Sequence, residues 1–432
     1  MEAELKRSAG VTAATIVRPI ATSGEVFPDG SMIELIGRVH HGNLALMLWD
    51  GARETAGSRV EHSGRFYEPA RFDGTVLREL TLPTHCCAHG TTRELLAETC
   101  SLLTTLAGLQ EKSASLVGRI ILCSALVDAV SVAPALMIVG PDTARGNRLV
   151  ELLHCLCRHS LRLTGATPAG FCSLPSGVRF SYLISQLSIS DKLRKLLDDA
   201  STCDRKIPSR GRLLDLFGVQ VIQSDSVFVG DSWPPRSIQV SMIPKAQELP
   251  VFAPEEQLRI TDEFQAKLLS FRRANLSVAR KLQFDVSKFT PALRNLARSM
   301  AAATPDDTGL QTEVFELLRE RDAEIRSEQW TAPNSVAIEA VLVTGQESPG
   351  GVIYVADLAA VAQEIMRRRG EEKAEINPAV FGKTLKVLGF TTEPRDAKGK
   401  KLILTDAVVS RARQLARAFD GPEVEDDGPW KH

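Results

Sequence analysis

The sequence predicts an α/β protein: a central domain with a mostly parallel sheet, a small β-rich region before it, and a helical module ending in a hairpin after it. Three observations carry this. Short strand-like runs (Ala135–Val139, Arg179–Gln186, Val219–Asp225 and Ser237–Ile243) alternate with stretches of helical periodicity, the order that gives crossover connections and parallel pairing. Residues 12–83 instead set strand-like runs between Gly, Asp and Pro turn signals. Near the C-terminus, a capped helix is followed by a stretch that reads as a hairpin with a basic tip.

At 432 residues the chain is long enough for two to four domains with cores of their own. The pattern divides it into a β-rich region (1–88), the parallel-sheet domain with its leading helices (89–250), a helical region (251–333), the C-terminal module (334–420) and an acidic tail (421–432). A formal net charge of −1 gives no whole-chain argument for nucleic acid or membrane, so any basic surface must be local. No apolar targeting stretch follows Met1, and the most apolar region, Leu116 to Gly140, is interrupted by Arg119 and Asp128, so no membrane span is expected. Eight cysteines without regular spacing point to reduced thiols and a cytoplasmic protein.

In the β-rich region the strand candidates are Ser31–Ile36, Asn43–Trp49, Ser58–Glu61 and Arg65–Glu68, expected to form a small antiparallel sheet without a catalytic signature. His85, Cys86, Cys87 and His89 lack a second ligand pair at zinc spacing, with Cys100 the sole candidate nearby, so a loop is the better reading. Thr91 or Thr92 with Glu94 forms a capping signal for a helix closed by Gly108. A second helix, about 113–130, leads into the Ala135–Val139 strand. Within His154–His159 only the i,i+3 and i,i+4 pairs would share a helical face, half a metal site at most, and no metal is expected.

Strand, Gly140-Pro141 turn and helix form the layout that presents backbone N–H groups to a phosphate. The phosphate-binding signature G-x-x-x-x-G-K-[ST] also needs a lysine for the β/γ-phosphates and a hydroxyl for Mg²⁺. Counted from Gly140, those positions hold Gly146 and Asn147; with one residue inserted, they hold Asn147 and Arg148. Gly140, Asp142, Thr143, Gly146, Asn147 and Arg148 are therefore candidates for a vestigial nucleotide site. The strand at Leu183-Ile184 ends in Ser185-Gln186, where an ATPase of this type carries its acids, and the next acid is Asp191.

The succession of this turn (Ile138–Gly146), the Leu183-Ile184 strand, Gly211–Gly218 before a strand, and Pro234-Pro235-Arg236-Ser237-Ile238 resembles the helicase-like ATPase module of phage and plasmid primase-helicases, a branch of the AAA+-type P-loop proteins. The resemblance covers about residues 110–420. It implies a P-loop NTPase-like sheet domain, ATP with Mg²⁺ as cofactor, DNA as partner, homo-oligomerisation, and a mobile element or its host as context. It also implies a role for Arg236 near a neighbouring subunit's nucleotide. The chain departs from the family pattern at the lysine, the hydroxyl and the paired acids, which puts ATP hydrolysis aside while leaving the fold.

In residues 255–330 the apolar stripe Phe264, Leu268, Leu269 and Phe271 is accompanied by Arg272, Arg273, Arg280 and Lys281, read as a solvated face. The C-terminal module has the richest functional pattern. An amphipathic helix (Val355–Arg369) precedes a second with Asn377 as N-cap, Pro378 at its first position and Gly389 as its stop. Thr391–Leu404 then reads as the hairpin. Helix, helix, hairpin is the order of a winged helix-turn-helix, with which the primase-helicase relatives also end. Lys383 and Lys386 share one helical face and could meet phosphates or base edges, while Arg395, Lys398, Lys400 and Lys401 on the wing could meet backbone.

The expectation is a DNA-binding, helicase-like protein with a degenerate nucleotide site. One alternative is an active ATPase in which Arg145 or Arg148 replaces the lysine and Asp142, Asp191 or Asp225 holds Mg²⁺. The other is an oligomeric scaffold or regulator without nucleic acid.

Overall fold

The strand-like runs of the central region become one parallel sheet because their residues are apolar on both faces and helices cover them. In the computed structural model the described residues are 18–37, 44–186, 188–209, 211–224, 237–244, 248–331, 333–370, 375–396 and 399–418. The chain divides into two units, Met1–Val286 with Pro291–Leu317, and Ser287–Thr290 with Leu318–His432.

Among the described residues the first unit opens with β1 (Ile20–Thr22), β2 (Gly24–Val26), β3 (Met32–Gly37), β4 (Leu44–Trp49), β5 (Glu54–Gly57), β6 (Val60–His62) and β7 (Arg65–Pro69). They form not one sheet but two, an antiparallel β2-β3-β4-β5 sheet and a β1-β7-β6 sheet in which β1 and β7 run parallel. The helices α1 (Gly74–Glu79), α2 (Thr92–Ala107) and α3 (Glu111–Ala125) follow. Thr91 and Glu94 close a full capping box on α2, and Gly108 ends it in the left-handed conformation, as the sequence predicts.

The parallel sheet is assembled from β8 (Ala135–Val139), α4 (Thr143–Leu156), β9 (Ser160–Thr164), α5 (Pro168–Phe171), β10 (Ser181–Ser185), α6 (Asp191–Ala200), β11 (Ile207–Ser209), β12 (Arg212–Leu214), β13 (Val219–Ser224) and β14 (Ser237–Ser241). Strands β11 and β12 pair as a separate hairpin, and the five-stranded parallel sheet has the order β14-β8-β13-β10-β9. The alternating strand β14 lies at an edge, where a wetter face is tolerated. The opposite edge, β9, is not among the strand-like runs of the sequence; the Leu161/Leu163 alternation is its signal. Helices α7 (Pro254–Ala279) and α8 (Pro291–Ala302) complete this unit, and the boundary with the second falls inside α9 (Thr308–Thr331).

The β-rich region is not a separate module. Ile33, Leu35, Leu46 and Leu48 share one hydrophobic core with Met137, Phe180, Tyr182, Ile184 and Leu216 of the sheet domain. Residues 1–88, 89–250 and most of the helical region are therefore parts of one unit.

That unit is pinned by a buried charge network. The Glu34 carboxylate accepts from Nε of Arg158 at 2.7 Å and Nε of Arg272 at 3.0 Å, and His159 Nε2 lies 3.1 Å from it. Arg272 also donates to Ala125 O (2.6 Å) and pairs with Asp128 (2.7 Å), while Arg179 links Asp128 (3.5 Å) to Asp215 (2.5 Å). Burial by itself would raise the Glu34 carboxyl; the Arg158 and Arg272 guanidiniums overcome this and hold it below the usual carboxylate range. The same opposition, dominated after burial by Arg272, places Asp128 at about 2. Reading Arg272 as part of a solvated face is thus corrected: only 2% of it is exposed. Its carboxylate partners come from β3 and the turn after α3, which helical periodicity cannot reveal. Arg273 does face outward, stacked 4.6 Å from the Trp49 ring and paired with Glu54.

The second unit contains α10 (Pro333–Glu347), β15 (Val352–Tyr354), α11 (Val355–Arg368), α12 (Pro378–Val387), β16 (Glu393–Asp396), β17 (Gly399–Ile403) and α13 (Asp406–Ala418). Its sheet has the order β15-β17-β16, all antiparallel. The core joins Val336, Ile338 and Val341 of α10 to Leu358 and Ile365 of α11, Phe381 and Leu385 of α12, and Leu402 of β17.

Candidate nucleotide turn and nucleic-acid interface

In the first unit the chain leaves β8 through α4 for β9 at the far edge, and leaves β13 for β14 on the other side of β8. Connections from the adjacent strands β8 and β13 therefore diverge, and open α/β sheets place their ligand crevice outside the carboxyl ends of such strands. The Gly140 turn and the first turns of α4 stand there.

The turn is short. Only Gly140, Pro141 and Asp142 separate β8 from α4, so Thr143, Gly146, Asn147 and Arg148 lie in the helix rather than in a loop. The P-loop signature draws its backbone N–H groups from a loop that runs between its two glycines, whereas here the Gly146 N–H is already within the helix and donates to Asp142 O at 3.0 Å. Gly140 has φ of +124°, and a Cβ there would run into the Met242 carbonyl oxygen, so glycine serves close packing of the turn against the end of β14.

The helix N-terminus is occupied by the protein's own anion. Asp142 caps α4, its carboxylate accepting from the Arg145 N–H at 3.0 Å and pairing with Arg145 Nε at 3.1 Å. A phosphate would meet a carboxylate instead of free N–H groups. Both proposed substitutes for the lysine have protein partners. Arg145 is buried beside Asp142, and Arg148 donates to Pro250 O (2.9 Å), lies 5.4 Å over the Phe252 ring and pairs with Glu151 (3.7 Å).

Across the carboxyl ends of the strands the groups are neutral. Ser185 Oγ donates to Gln223 Oε1 at 3.1 Å, and Gln223 Nε2 donates to Asn147 Oδ1 at 2.7 Å. Gly146 permits this ladder, since a Cβ there would come within 2.7 Å of Gln223 Nε2. The structure thus brings Gly146 and Asn147 together with Ser185 and Gln223, a pairing that the sequence signature could not supply. Asp191 is remote from this role: it starts α6, is 90% exposed and pairs with Arg194. Arg236 and Asp225 lie outside the described residues. Among the described residues, then, the turn does not fit a magnesium-bound triphosphate: it has no lysine, its helix terminus is filled, and its polar ladder is uncharged.

The cysteine and histidine clusters have structural partners. His89 Nδ1 lies 3.1 Å from Ser270 Oγ, and the His154 Nδ1 lies 2.9 Å from Ser160 Oγ. Cys157 and His159 fall beyond the end of α4, which removes the shared helical face considered for Cys155 and His159. All eight cysteines are free, and no His/Cys/Asp/Glu group among the described residues could hold a metal. No described helix is long and apolar enough to cross a membrane.

In the second unit Asn377 caps α12 by accepting from the Ala379 N–H at 2.9 Å, and Pro378 takes the first position. Phe381, Leu385 and Leu388 are buried, whereas Ala379, Val380, Lys383, Lys386 and Val387 are exposed. Lys383 and Lys386 are therefore brought together on the outer face of the helix. On the hairpin, Lys400 is exposed, Lys401 pairs with its cross-strand neighbour Glu393 at 3.1 Å, Arg395 lies within β16, and Lys398 is outside the described residues. The acidic tail, 421–432, is also outside them.

The fold and turn define an α/β protein with a five-stranded parallel sheet and a strand–turn–helix at its switch point. No protein-family model and no curated protein matches the chain. Among solved structures, the C-terminal region of NrS-1 in its apo form is similar at 11% identity, over 86% of this chain and 96% of that one, with a TM-score of 0.36. A full-length MCM homolog from Methanopyrus kandleri is similar at 11% identity over 67% and 76%, with a TM-score of 0.35. Drosophila ORC bound to DNA is similar at 13% over 76% and 92%, with a TM-score of 0.20. Likeness at these scores assigns neither a family nor an activity.

Proposed function

We propose that this chain is a DNA-binding protein on a helicase-like, P-loop-type scaffold whose nucleotide chemistry has been lost, and that it meets DNA through its C-terminal unit acting as a winged helix-turn-helix. The observation that carries the reading is α12. It is capped at its start, buried along Phe381, Leu385 and Leu388, and presents Lys383 and Lys386 to solvent with no acidic residue in the helix. The order α10, β15, α11, α12, β16–β17 supports it, since this is the arrangement that leaves a second helix free to enter a major groove beside a hairpin. The local balance agrees: residues 334–418 hold 13 Lys and Arg against 10 Asp and Glu, in a chain whose net charge is −1.

On this reading Gly140, Asp142, Thr143, Gly146, Asn147 and Arg148 are the remains of a nucleotide site, and ATP with Mg²⁺ is not turned over. Lys383, Lys386 and Lys400 contact DNA, with Arg395 and Lys398 assisting, while Lys401 holds the hairpin together through Glu393. Lysine–phosphate contacts release counterions, so affinity should fall steeply with salt. Fluorescence anisotropy of a labelled duplex, titrated with full-length protein over a salt series, tests this. Lys383→Ala with Lys386→Ala is expected to weaken binding and to reduce the logarithmic salt slope by about 2. Absence of binding at low salt overturns the reading, and ATP turnover by purified protein overturns the statement about the nucleotide site.

A further inference from the structure

The exposed face of α12 is not only basic. Val380 is 59% exposed and Val387 81% exposed, the two valines stand seven residues apart on either side of Lys383, and Ala379 and Lys386 border them. At about 100° per residue these five positions fall within roughly a third of the helix circumference, opposite Phe381, Leu385 and Leu388. Large apolar side chains left in water in the middle of a basic face need an occupant with both an apolar and an anionic component.

Resting on the DNA reading above, we infer that this face reads thymine in the major groove through its C5-methyl group. Apolar side chains recognise that methyl, the one apolar feature a base pair displays in the groove. Adenine is otherwise read by Asn or Gln, and none of the five exposed residues is either; Asn377, the amide nearest the helix, spends its Oδ1 on the Ala379 N–H at 2.9 Å. Lys383 and Lys386 supply attraction to phosphate or to guanine, without distinguishing thymine from uracil. Charge complementarity therefore calls for an anionic occupant, which on the DNA reading is the duplex, and the valines select the methyl-bearing base.

The test compares full-length protein on two duplexes of alternating sequence, one of adenine and thymine and one of adenine and uracil, by anisotropy at fixed low salt. Burying one methyl favours binding by about fourfold, so two valines, each covering one methyl, predict roughly sixteenfold preference for the thymine duplex. Val380→Ser with Val387→Ser, on a solvent face where folding is unaffected, is expected to abolish the preference, and the circular dichroism melt checks that it folds. Lys383→Ala with Lys386→Ala should weaken both duplexes alike and leave the ratio intact. Equal affinity of the wild-type protein for the two duplexes overturns the inference while leaving DNA binding in place. A preference that survives the valine substitutions also overturns it, as does unchanged DNA affinity accompanied by valine-dependent protein association. Failure to bind either duplex removes the underlying reading and this inference with it.

Discussion

Glu34→Gln should be the most damaging isosteric change in the first unit. The carboxylate is 1% exposed and is the shared acceptor of Arg158 and Arg272, which are 5% and 2% exposed. Replacing it with an amide keeps the volume, removes one negative charge, and leaves Arg272 with Asp128 while Arg158 loses the carboxylate it pairs with. Breaking a buried pair in this way costs about 3–5 kcal/mol, because the surviving cation has lost both its counter-charge and its access to water. For a unit of this size that corresponds to a drop in melting temperature of roughly 5–8 °C. Denaturant unfolding followed by far-ultraviolet circular dichroism is the direct assay. A loss below about 1 kcal/mol, the range of a surface pair, would refute the network's role. An equal loss from Arg273→Ala, whose pairing with Glu54 is partly exposed, would do the same.

Stability should also fall as the solution is acidified. Burial depresses the His154 imidazole from 6.5 to about 4, so the unfolded chain takes up that proton first, and a contribution of about 3 kcal/mol present above pH 6.5 is lost as pH falls to 4. Depressed Glu34 and Asp128 extend the loss below pH 4, and a pH series of melts in which stability rises on acidification contradicts this. Gly140→Ala adds a Cβ at positive φ against the Met242 carbonyl oxygen and should cost about 1–3 kcal/mol from backbone strain alone; an unchanged melt would show that the turn has room. Asp142→Ala removes the α4 cap, expected to cost about 1 kcal/mol and to leave ATP binding undetectable by calorimetry. Gain of Mg²⁺-dependent ATP binding by that variant would instead mark Asp142 as the only obstacle.

Local order was written in local residues. The Thr91–Glu94 box, the Asn377-Pro378 start of α12, the apolar run of β8 and the absence of a lysine and hydroxyl at the signature positions after Gly140 are each visible within a few neighbouring residues. Periodicity likewise foretold that Lys383 and Lys386 share a face. Tertiary structure decided the rest. Arg272 became a buried tie because Glu34, 238 residues earlier, folds onto it. Asp142 became a cap, and Gln223 joined Asn147 and Ser185, because the helix begins only three residues after the strand. Nearest-neighbour pattern sets which backbone bonds form, but whether a charge is solvated, paired or offered to a ligand depends on which distant element closes over it.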